Sequence, residues 1–349
     1  MKKSTIKIIS IAFAFALPFA FSSCNKKTAK QDAEKASPNE ITVYAYDSFV
    51  GEWGPGPELS KKFEEKTGFK VNFVDCGDAV QVLSRAILEK NDVKADVIVG
   101  LDNNISKKAI EEGILEEYKT KNADSIPAEM FAALQESGNF VTPYDYSHFA
   151  MIFDTKSNVA APASLEDLTK PEYEKKIILM DPRTSTPGLG FVAWTVSVFG
   201  DKVLDYWKEL KPNILTMAPG WSSGYGSFTK GEAPLVISYT TSPAYHVEYG
   251  EGDDKQALVF EEGHSWQVEG LALLKNAPNK AGGEAFIDFL TSEEGQNALP
   301  LTQWMYPVNK NASIPESYKK AAPIPEKTLI ADPEKVQEAV GEVMKILAE

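Results

Sequence analysis

The segment DPRTSTPGLG, residues 181–190, carries residue types suited to hold an oxygen-rich group. It follows an apolar run and opens an apolar helix, in which Thr186 can cap and Pro187 can take the first helical position. Backbone N–H groups at such a helix start, with the hydroxyls of Ser185 and Thr186, form a nest for a hydroxyl or an anion. A plain capping turn explains the same residues. The arginine of the segment either adds positive charge or pairs with the leading aspartate.

Large aromatic side chains recur on five turns rich in Gly, Pro or hydroxyl residues. The turns span residues 46–49, 53–57, 219–222, 238–245 and 303–307. One aromatic residue on a turn is more often packing than a ligand contact, but five such turns are harder to explain by packing. Aromatic faces attract cations, and each desolvated contact contributes about 0.5–2 kcal/mol. With Asp47 and Asp78 as counter-charges, this residue set is suited to a flat cationic ligand.

Residue patterns typical of catalysis are missing from the sequence. The histidines His148, His246 and His264 lack metalloprotease spacing, and the chain has no G-x-S-x-G nucleophile elbow and no P-loop. Beyond residue 24 the chain has one cysteine, Cys76, which alone forms neither a disulfide nor a multi-thiolate metal site. We therefore expect a protein that is not an enzyme and uses neither a cofactor nor a metal.

The composition is that of an acidic globular protein. The chain has 349 residues, with 36 Lys and Arg against 50 Asp and Glu, so its formal charge is −14. This balance argues against nucleic-acid binding, because phosphate neutralisation needs a basic surface. The length favours about two domains and allows a large core without disulfides.

The N-terminus predicts export and lipidation. Residues 1–23 have a lysine-rich start and an apolar run too short for a comfortable membrane span, as in a secretory signal peptide. The run ends in FSSC, which resembles the bacterial lipoprotein signal, so Cys24 is the expected lipidation site. An ordinary cleaved signal is the alternative. Polar residues 24–40 are expected to tether the domain, leaving it lipid-anchored in the periplasm or cell envelope.

Strand-like and helix-like segments alternate along the rest of the chain, which is typical of a largely parallel sheet covered on both faces. The pattern predicts strands at 41–46, 70–74, 95–101, 176–180, 235–239 and 267–274, and helices at 57–67, 79–91, 106–113, 188–199, 201–210 and from 333. Asp78 and Asp332 are natural N-caps. The nest and several aromatic turns follow predicted strands, where open α/β sheets bind ligands. This favours a hinged binding protein.

At these residues the sequence closely resembles the thiamine-binding components of bacterial thiamine ABC importers, a group of two-domain solute-binding proteins. The matching strings cover most of the chain after the signal and keep their order. They are YDSFxxxWGPGP (46–57), ADVxxGLDNN (95–104), PYDYSHFA (143–150), DPRTSTPGLG (181–190), LVISYTTSPAYH (235–246), EGH (262–264) and QWMYPV (303–308).

The resemblance implies a ligand site, with no catalytic or metal-binding residues. The implied residues are Tyr46, Asp47, Trp53, Asp78, Ala79, Ser185, Thr186, Trp221, Tyr239, Thr240, Thr241, Ser242, Pro243, Tyr245 and Trp304. It places Ser185 and Thr186 near the hydroxyethyl or phosphate end of the ligand, and Tyr46 and Trp304 against its rings. Ala79 departs from the glycine common in the family. Thiamine, with a permanent thiazolium charge and two flat rings, agrees with the cationic chemistry of the aromatic turns.

The resemblance also implies an α/β fold of the two-lobed periplasmic-binding-protein type (type II), with the ligand cleft between the lobes and crossing strands as the hinge. The expected division is 41–142 for the first part of lobe 1, 143–266 for lobe 2, and 267–349 mainly for the second part of lobe 1. Ligand binding would close the lobes. The implied partners are thiamine or its mono- or diphosphate and the ABC permease subunits, with the receptor itself a monomer.

Four other functions remain open. A ferric-ion-binding protein of this fold group would use adjacent tyrosines, whereas Tyr239 and Tyr245 are six residues apart. A polyamine-binding protein would also use aromatic and acidic residues, but neither function explains the 181–190 nest. A structural or adhesive surface lipoprotein is a further alternative. A thiamine-cleaving transferase would need a reactive cysteine in the cleft, and Cys76 lies two residues before Asp78.

Overall fold

The computed structural model describes residues 39–349. The predicted signal peptide (1–23) and the lipidation site Cys24 lie outside the described residues, as does the predicted tether up to residue 38. Within the described range, no helix combines the length and the apolar character needed to cross a bilayer.

Each predicted strand and helix is present in the described chain, with ends that differ by at most three residues, and the structure adds further short strands and helices that were not predicted. The strands are β1 (Glu40–Ala45), β2 (Lys70–Asp75), β3 (Val97–Asp102), β4 (Leu115–Glu116), β5 (Thr142–Asp154), β6 (Ile177–Met180), β7 (Ile214–Ala218), β8 (Leu235–Tyr239), β9 (Lys255–Ala257), β10 (His264–Leu274), β11 (Tyr306–Pro307) and β12 (Thr328–Leu329). The α-helices are α1 (Asp47–Val50), α2 (Pro55–Thr67), α3 (Ala79–Leu88), α4 (Ser106–Glu111), α5 (Ala128–Leu134), α6 (Thr186–Phe199), α7 (Val203–Leu210), α8 (Trp221–Thr229), α9 (Pro243–Glu248), α10 (Lys280–Thr291), α11 (Glu293–Gln296), α12 (Leu299–Thr302), α13 (Glu316–Ala321) and α14 (Pro333–Ala348).

The first lobe is built on parallel strands β2, β1 and β3. Helix α2 buries Leu59 and Phe63 one turn apart on one face, as an amphipathic helix covering a sheet must. Helix α3 begins at Ala79 with a capping box between Asp78 and Gln81. These connections place the residues after β1 and β2 at one edge of the sheet.

The second lobe is built on β6, which lies between parallel neighbours β7 and β8. Helix α6 is apolar around most of its surface and is buried from Thr186 to Val196. Helix α8 packs on β6 and β8. The residues after β6, β7 and β8 therefore meet at one edge, opposite the first lobe.

Strands β5 and β10 cross between the lobes. The first half of β5 pairs antiparallel with β10, and its second half, Phe149–Phe153, pairs with β8. Strand β10 in turn pairs with β3 of the first lobe. The two-lobed architecture with crossing strands is thus as predicted, while the residue numbers assigned to each lobe stay predictions.

Two local predictions were wrong. The sheet is mixed rather than largely parallel, because β5 and β10 run antiparallel to each other and to β8 and β3 respectively. Helix α6 is capped by Ser185 and not Thr186, so Pro187 takes the second helical position. Ser185 keeps an extended backbone with φ −115° and ψ 134°, which ends the preceding turn one residue earlier than predicted.

Candidate functional site

A cavity of about 630 Å³ lies where the two lobes face each other. Its lining includes residues that come directly after β1, β2, β6, β7 and β8, together with side chains of β10 and the loop after α12. The carboxyl ends of the parallel strands in both lobes thus open onto one space, which is where open α/β sheets bind ligands.

The structure brings most of the predicted site residues together in this cavity. The lining includes Tyr46, Trp53, Asp78, Ala79, Thr186, Trp221, Tyr239, Ser242, Tyr245 and Trp304. The remaining five predicted residues are not part of it: Asp47, Ser185, Thr240, Thr241 and Pro243.

Local hydrogen bonds explain the position of some of these five residues. The hydroxyls of Thr240 and Thr241 are buried and lie 3.3 and 3.2 Å from Ser147 Oγ on the crossing strand β5. The Asp47 carboxylate accepts a hydrogen bond from the backbone N–H of Ser48 at 2.5 Å, at the start of α1. These side chains are bonded to their own surroundings and lie outside the cavity lining.

The Asp78 carboxylate lies at the N-termini of three helices from both lobes. Its Oδ1 accepts hydrogen bonds from the backbone N–H of Ala79 at 2.7 Å and of Thr186 at 3.2 Å, and its Oδ2 accepts from Trp221 N at 3.0 Å. These residues begin α3, α6 and α8, whose positive dipole ends attract an anion. Burial raises the pKa of Asp78, and the three N–H groups oppose that shift.

The nest predicted for a ligand oxygen at the start of α6 is therefore filled by a side chain of the other lobe. Gly220 lets the carboxylate approach, because a Cβ there would lie 3.0 Å from Asp78 Oδ2. Arg183 pairs with Asp181 at 2.6 Å and does not line the cavity. Two hydroxyls of the nest, Ser185 Oγ and Thr186 Oγ1, are buried with no hydrogen-bond partner in residues 39–349.

One cavity wall is formed by aromatic rings of the second lobe. Trp221 stacks on Tyr225 with ring centroids 5.0 Å apart and planes 15° apart, and its Nε1 donates to Ser238 Oγ at 2.8 Å. Trp53 approaches the same indole from the first lobe at 5.9 Å and is 53% exposed. A flat ring entering the cavity thus meets an aromatic face that is already held in place.

A second group of aromatic rings in the lining contains Trp304, whose backbone is strained. Its φ of 59° is in the left-handed region, which bulky residues rarely adopt. The ring packs edge-on against Tyr245 at 5.3 Å and stacks near Tyr318 at 6.4 Å. Strained backbone of this kind is often found at functional sites, where the surrounding structure fixes a side chain in position.

The cavity lining also contains a polar network, in which Gln267, Glu269 and Gln303 were not assigned to the site by the sequence analysis. Tyr239 Oη donates to Gln267 Oε1 at 2.8 Å, and Gln267 Nε2 donates to Glu269 Oε2 at 3.1 Å. Gln303 Nε2 donates to the Tyr46 hydroxyl. The signal for two of these residues is the polar pair at positions 267 and 269 in the otherwise apolar part of β10, because residues two apart in a strand share a face.

The electrostatic character of the cavity is acidic. The described residues that line it include the carboxyl groups of Glu52, Glu58, Asp78 and Glu269, and no Lys, Arg or His. In the described part of the chain, no group of three His, Cys, Asp or Glu side chains is placed to hold a metal ion.

Cys76 does not line the cavity, and burial raises the pKa of its thiol, which disfavours the reactive thiolate.

Comparison with known proteins places this geometry in a family. The sequence matches the family of bacterial extracellular solute-binding proteins over residues 58–326. It is 39% identical over 302 residues to the thiamine-binding periplasmic protein of Brucella abortus, covering 85% of this chain and 88% of the relative. The thiamine-binding periplasmic protein of Escherichia coli K12 is 39% identical over 280 residues, covering 80% and 84%.

Solved structures give the same result. A periplasmic thiamin binding protein superposes with a TM-score of 0.82 and 36% identity, covering 89% of this chain and 96% of the other. The ferric binding protein from Campylobacter jejuni superposes with a TM-score of 0.70 at 20% identity, covering 88% and 98%, which shows a shared fold alone. The resemblance seen in the sequence is confirmed, and the chain belongs to the bacterial extracellular solute-binding proteins.

Proposed function

We propose that this protein captures thiamine in the periplasm and delivers it to the permease of an ABC importer. The observation that carries the proposal is the cavity between the lobes, with aromatic walls, four carboxyl groups and no basic residue in its described lining. Thiamine is a flat organic cation, so its rings and its charge both suit this lining. The names of the relatives support the same ligand and a periplasmic location. As a member of a family of solute-binding proteins, the chain is not an enzyme.

The walls suggest how the ligand is held. The Trp221–Tyr225 stack and the Trp304–Tyr245 pair supply aromatic faces, and each cation–π contact contributes about 0.5–2 kcal/mol when desolvated. Thr186 Oγ1 is free to bond the hydroxyethyl group of the ligand. We expect Asp78 to position this end of the cavity rather than to contact the rings, because its carboxylate is already bound to three backbone N–H groups.

The Asp78 carboxylate at the start of α6 also affects how well thiamine phosphates can bind. A phosphate at the start of α6 would have to share the helix N-terminus with the Asp78 carboxylate, and the described lining offers no basic residue to offset the added charge. We propose the unphosphorylated vitamin as the ligand, and we expect the mono- and diphosphate to bind no more tightly.

Calorimetric titration tests the proposal. The purified protein is freed of any copurified ligand by unfolding and refolding, then titrated with thiamine, its two phosphates, spermidine and ferric citrate. We expect one-to-one binding of thiamine, with the phosphates equal or weaker. Absence of thiamine binding by a folded protein would overturn the proposal, and binding of spermidine instead would identify a polyamine receptor.

The lipid anchor is a separate proposal that rests on the lipoprotein-like signal before Cys24. We expect the protein to fractionate with membranes and the Cys24→Ser variant to be released from them. Mass spectrometry of the N-terminal peptide is the measurement, and an unmodified cysteine in that peptide would contradict the proposal.

A further inference from the structure

Two carboxyl groups face each other across the strands that join the lobes. Asp145 on β5 and Glu269 on β10 are directly paired in the antiparallel register. Both are buried, with 0% and 3% of their surface exposed. Glu269 also lines the cavity, so the pair connects the hinge with the ligand site.

The surroundings of the pair offer no positive charge. The polar side chains that influence Asp145 are Glu269 and Gln303, and neither carboxyl oxygen of Asp145 has hydrogen-bond geometry with a donor in the described chain. Glu269 accepts a hydrogen bond from Gln267 Nε2 at 3.1 Å, and the Tyr46 and Tyr144 hydroxyls also act on it as donors that oppose the rise of its pKa. Asp102 is paired with Glu269 on its other side, in β3.

The titratable groups facing the pair are all acids or tyrosines. Around Glu269 they are Asp102, Tyr46, Tyr144 and, from β8, Tyr239. The Asp145 charge also acts on Tyr318 of α13, whose pKa it helps to raise. The Tyr46 and Tyr144 hydroxyls are 2.7 Å apart and so bond to each other.

Elementary electrostatics then fixes the protonation of the pair. Two carboxylates buried side by side without a counter-ion repel each other and lose their hydration, so at least one of them keeps its proton. A protonated carboxyl group can donate to the other, which explains why oxygens of a fully buried aspartate find no other donor. Burial raises the pKa of Glu269 to about 8, and burial together with the Glu269 charge raises the pKa of Asp145 well above its ordinary value.

We propose that both carboxyl groups are protonated in the ligand-free protein at neutral pH, and that Glu269 releases its proton when an organic cation occupies the cavity. Asp145 keeps its own proton and donates to the resulting carboxylate, so that Glu269 becomes the counter-charge of the bound ligand. The carboxyl O–H bond breaks, the electron pair stays on the carboxylate oxygen and the proton passes to the buffer. One positive charge leaves as another enters. This inference rests on the proposed function, because it requires a cationic ligand.

The proposal predicts that thiamine affinity depends on pH. Below pH 8 the cation must displace a proton, so affinity rises with pH, by up to tenfold per unit for one proton released, and levels off above the pKa of about 8. Titrations at pH 7 in buffers of different ionisation enthalpy measure the released protons directly. We expect close to one proton per thiamine bound.

Three variants distinguish the role of the Asp145–Glu269 pair from the effect of the other carboxyl groups that line the cavity. Glu269→Gln should weaken binding at least tenfold and abolish proton release. Asp145→Asn replaces the protonated neighbour by a neutral amide that can still donate to Glu269, so proton release at pH 7 should persist. Glu52→Gln removes an exposed carboxyl group from the same lining, and we expect proton release to be unchanged in this control.

A measurement on the ligand-free protein tests the protonation of the pair independently of whether thiamine is the ligand. Infrared difference spectra between the native protein and Glu269→Gln should show a protonated-carboxyl band at pH 7 that is lost above pH 9. Thiamine binding without net proton release, or no such band, would overturn the release of a proton from Glu269. A protein that has the band but binds no thiamine would overturn the proposed function alone.

Discussion

At the scale of single residues, the site works through side chains whose hydrogen bonds are satisfied before any ligand arrives. The Trp221 indole is held by Ser238, and the Tyr239 hydroxyl by Gln267. Such preorganisation lowers the entropy lost on binding, because the rings need no further ordering. Ser185 Oγ and Thr186 Oγ1 differ, since both are buried without a hydrogen-bond partner in the described chain, and we expect a ligand oxygen to bond there.

The aromatic residues lead to the first prediction at this scale. Trp221→Ala removes the stacked ring, and Tyr239→Ala removes the hydroxyl that orients Gln267, so we expect each variant to bind thiamine at least tenfold more weakly, a loss of about 1.4 kcal/mol. Calorimetry measures the affinity and circular dichroism the fold. Tyr118→Ala is the control, because its hydroxyl bonds Asp288 at 2.8 Å away from the cavity lining. Unchanged affinity in both site variants would refute the assignment.

At the scale of elements, helix starts and crossing strands decide what the cavity can bind. Most of the longer strands and helices were predictable from the sequence, because helix caps, apolar periodicity and Gly and Pro turns are local signals. Asp78 was recognised as a cap of α3, for example, but its bonds to the starts of α6 and α8 depend on chain segments more than 100 residues away. Glu269 was missed for the same reason, since only the pairing of β10 with β5 shows that it faces both a second acid and the cavity.

Two buried histidines on the crossing strands make the fold sensitive to acid. His264 Nε2 accepts from Phe260 N at 2.7 Å and its Nδ1 lies 2.8 Å from Phe149 O, so the ring is neutral with its proton on Nδ1. Burial lowers the pKa of His264 and lowers that of His148 to about 4. Protonation of either ring therefore opposes the folded state.

The pH dependence of stability follows from these directions. Because the folded pKa of His148 is about 4 and the unfolded value is 6.5, the unfolded state binds protons first, and stability is lost as pH falls from 6.5 towards 4. The loss is about 3 kcal/mol for a shift of this size. Glu269 acts in the opposite direction, since its raised pKa costs stability as pH rises towards 8.

Urea unfolding at several pH values can isolate the histidine contribution. His148→Gln can keep a hydrogen bond to Thr328 Oγ1, which lies 2.8 Å from His148 Nε2, but cannot be protonated. We expect the stability of the native protein relative to this variant to decrease between pH 7 and pH 5. A difference that stays constant with pH would show that the imidazole is not buried in its neutral form.

At the scale of the whole molecule, Asp78 joins the two lobes. Its carboxylate belongs to the lobe of β2 and bonds the helix starts of the other lobe at 3.0 and 3.2 Å. Hinged binding proteins close around their ligands, and a charged hydrogen bond across the cleft favours the closed form.

Removing this bridge should therefore open the molecule. Asp78→Ala leaves buried N–H groups without a partner, at a cost of about 1–3 kcal/mol each in the closed form. We expect small-angle X-ray scattering to give a larger radius of gyration for the ligand-free variant than for the native protein. Asp332→Ala is the control. It removes the side chain that caps α14 by accepting from Glu334 N, and it should not change the radius. Equal radii for all three proteins would exclude a role for Asp78 in closure.

The distribution of tryptophans gives the molecule a built-in optical report of its occupancy. Three of its six tryptophans, Trp53, Trp221 and Trp304, line the cavity. Trp194 and Trp207 are almost fully buried elsewhere, so their emission provides a constant reference. A ligand ring that stacks on the cavity indoles should quench part of the tryptophan fluorescence and leave the emission of Trp194 and Trp207 unchanged. The unlabelled protein would then serve as a fluorescent sensor for its own ligand, with Trp304→Phe and Trp221→Phe showing which wall carries the signal.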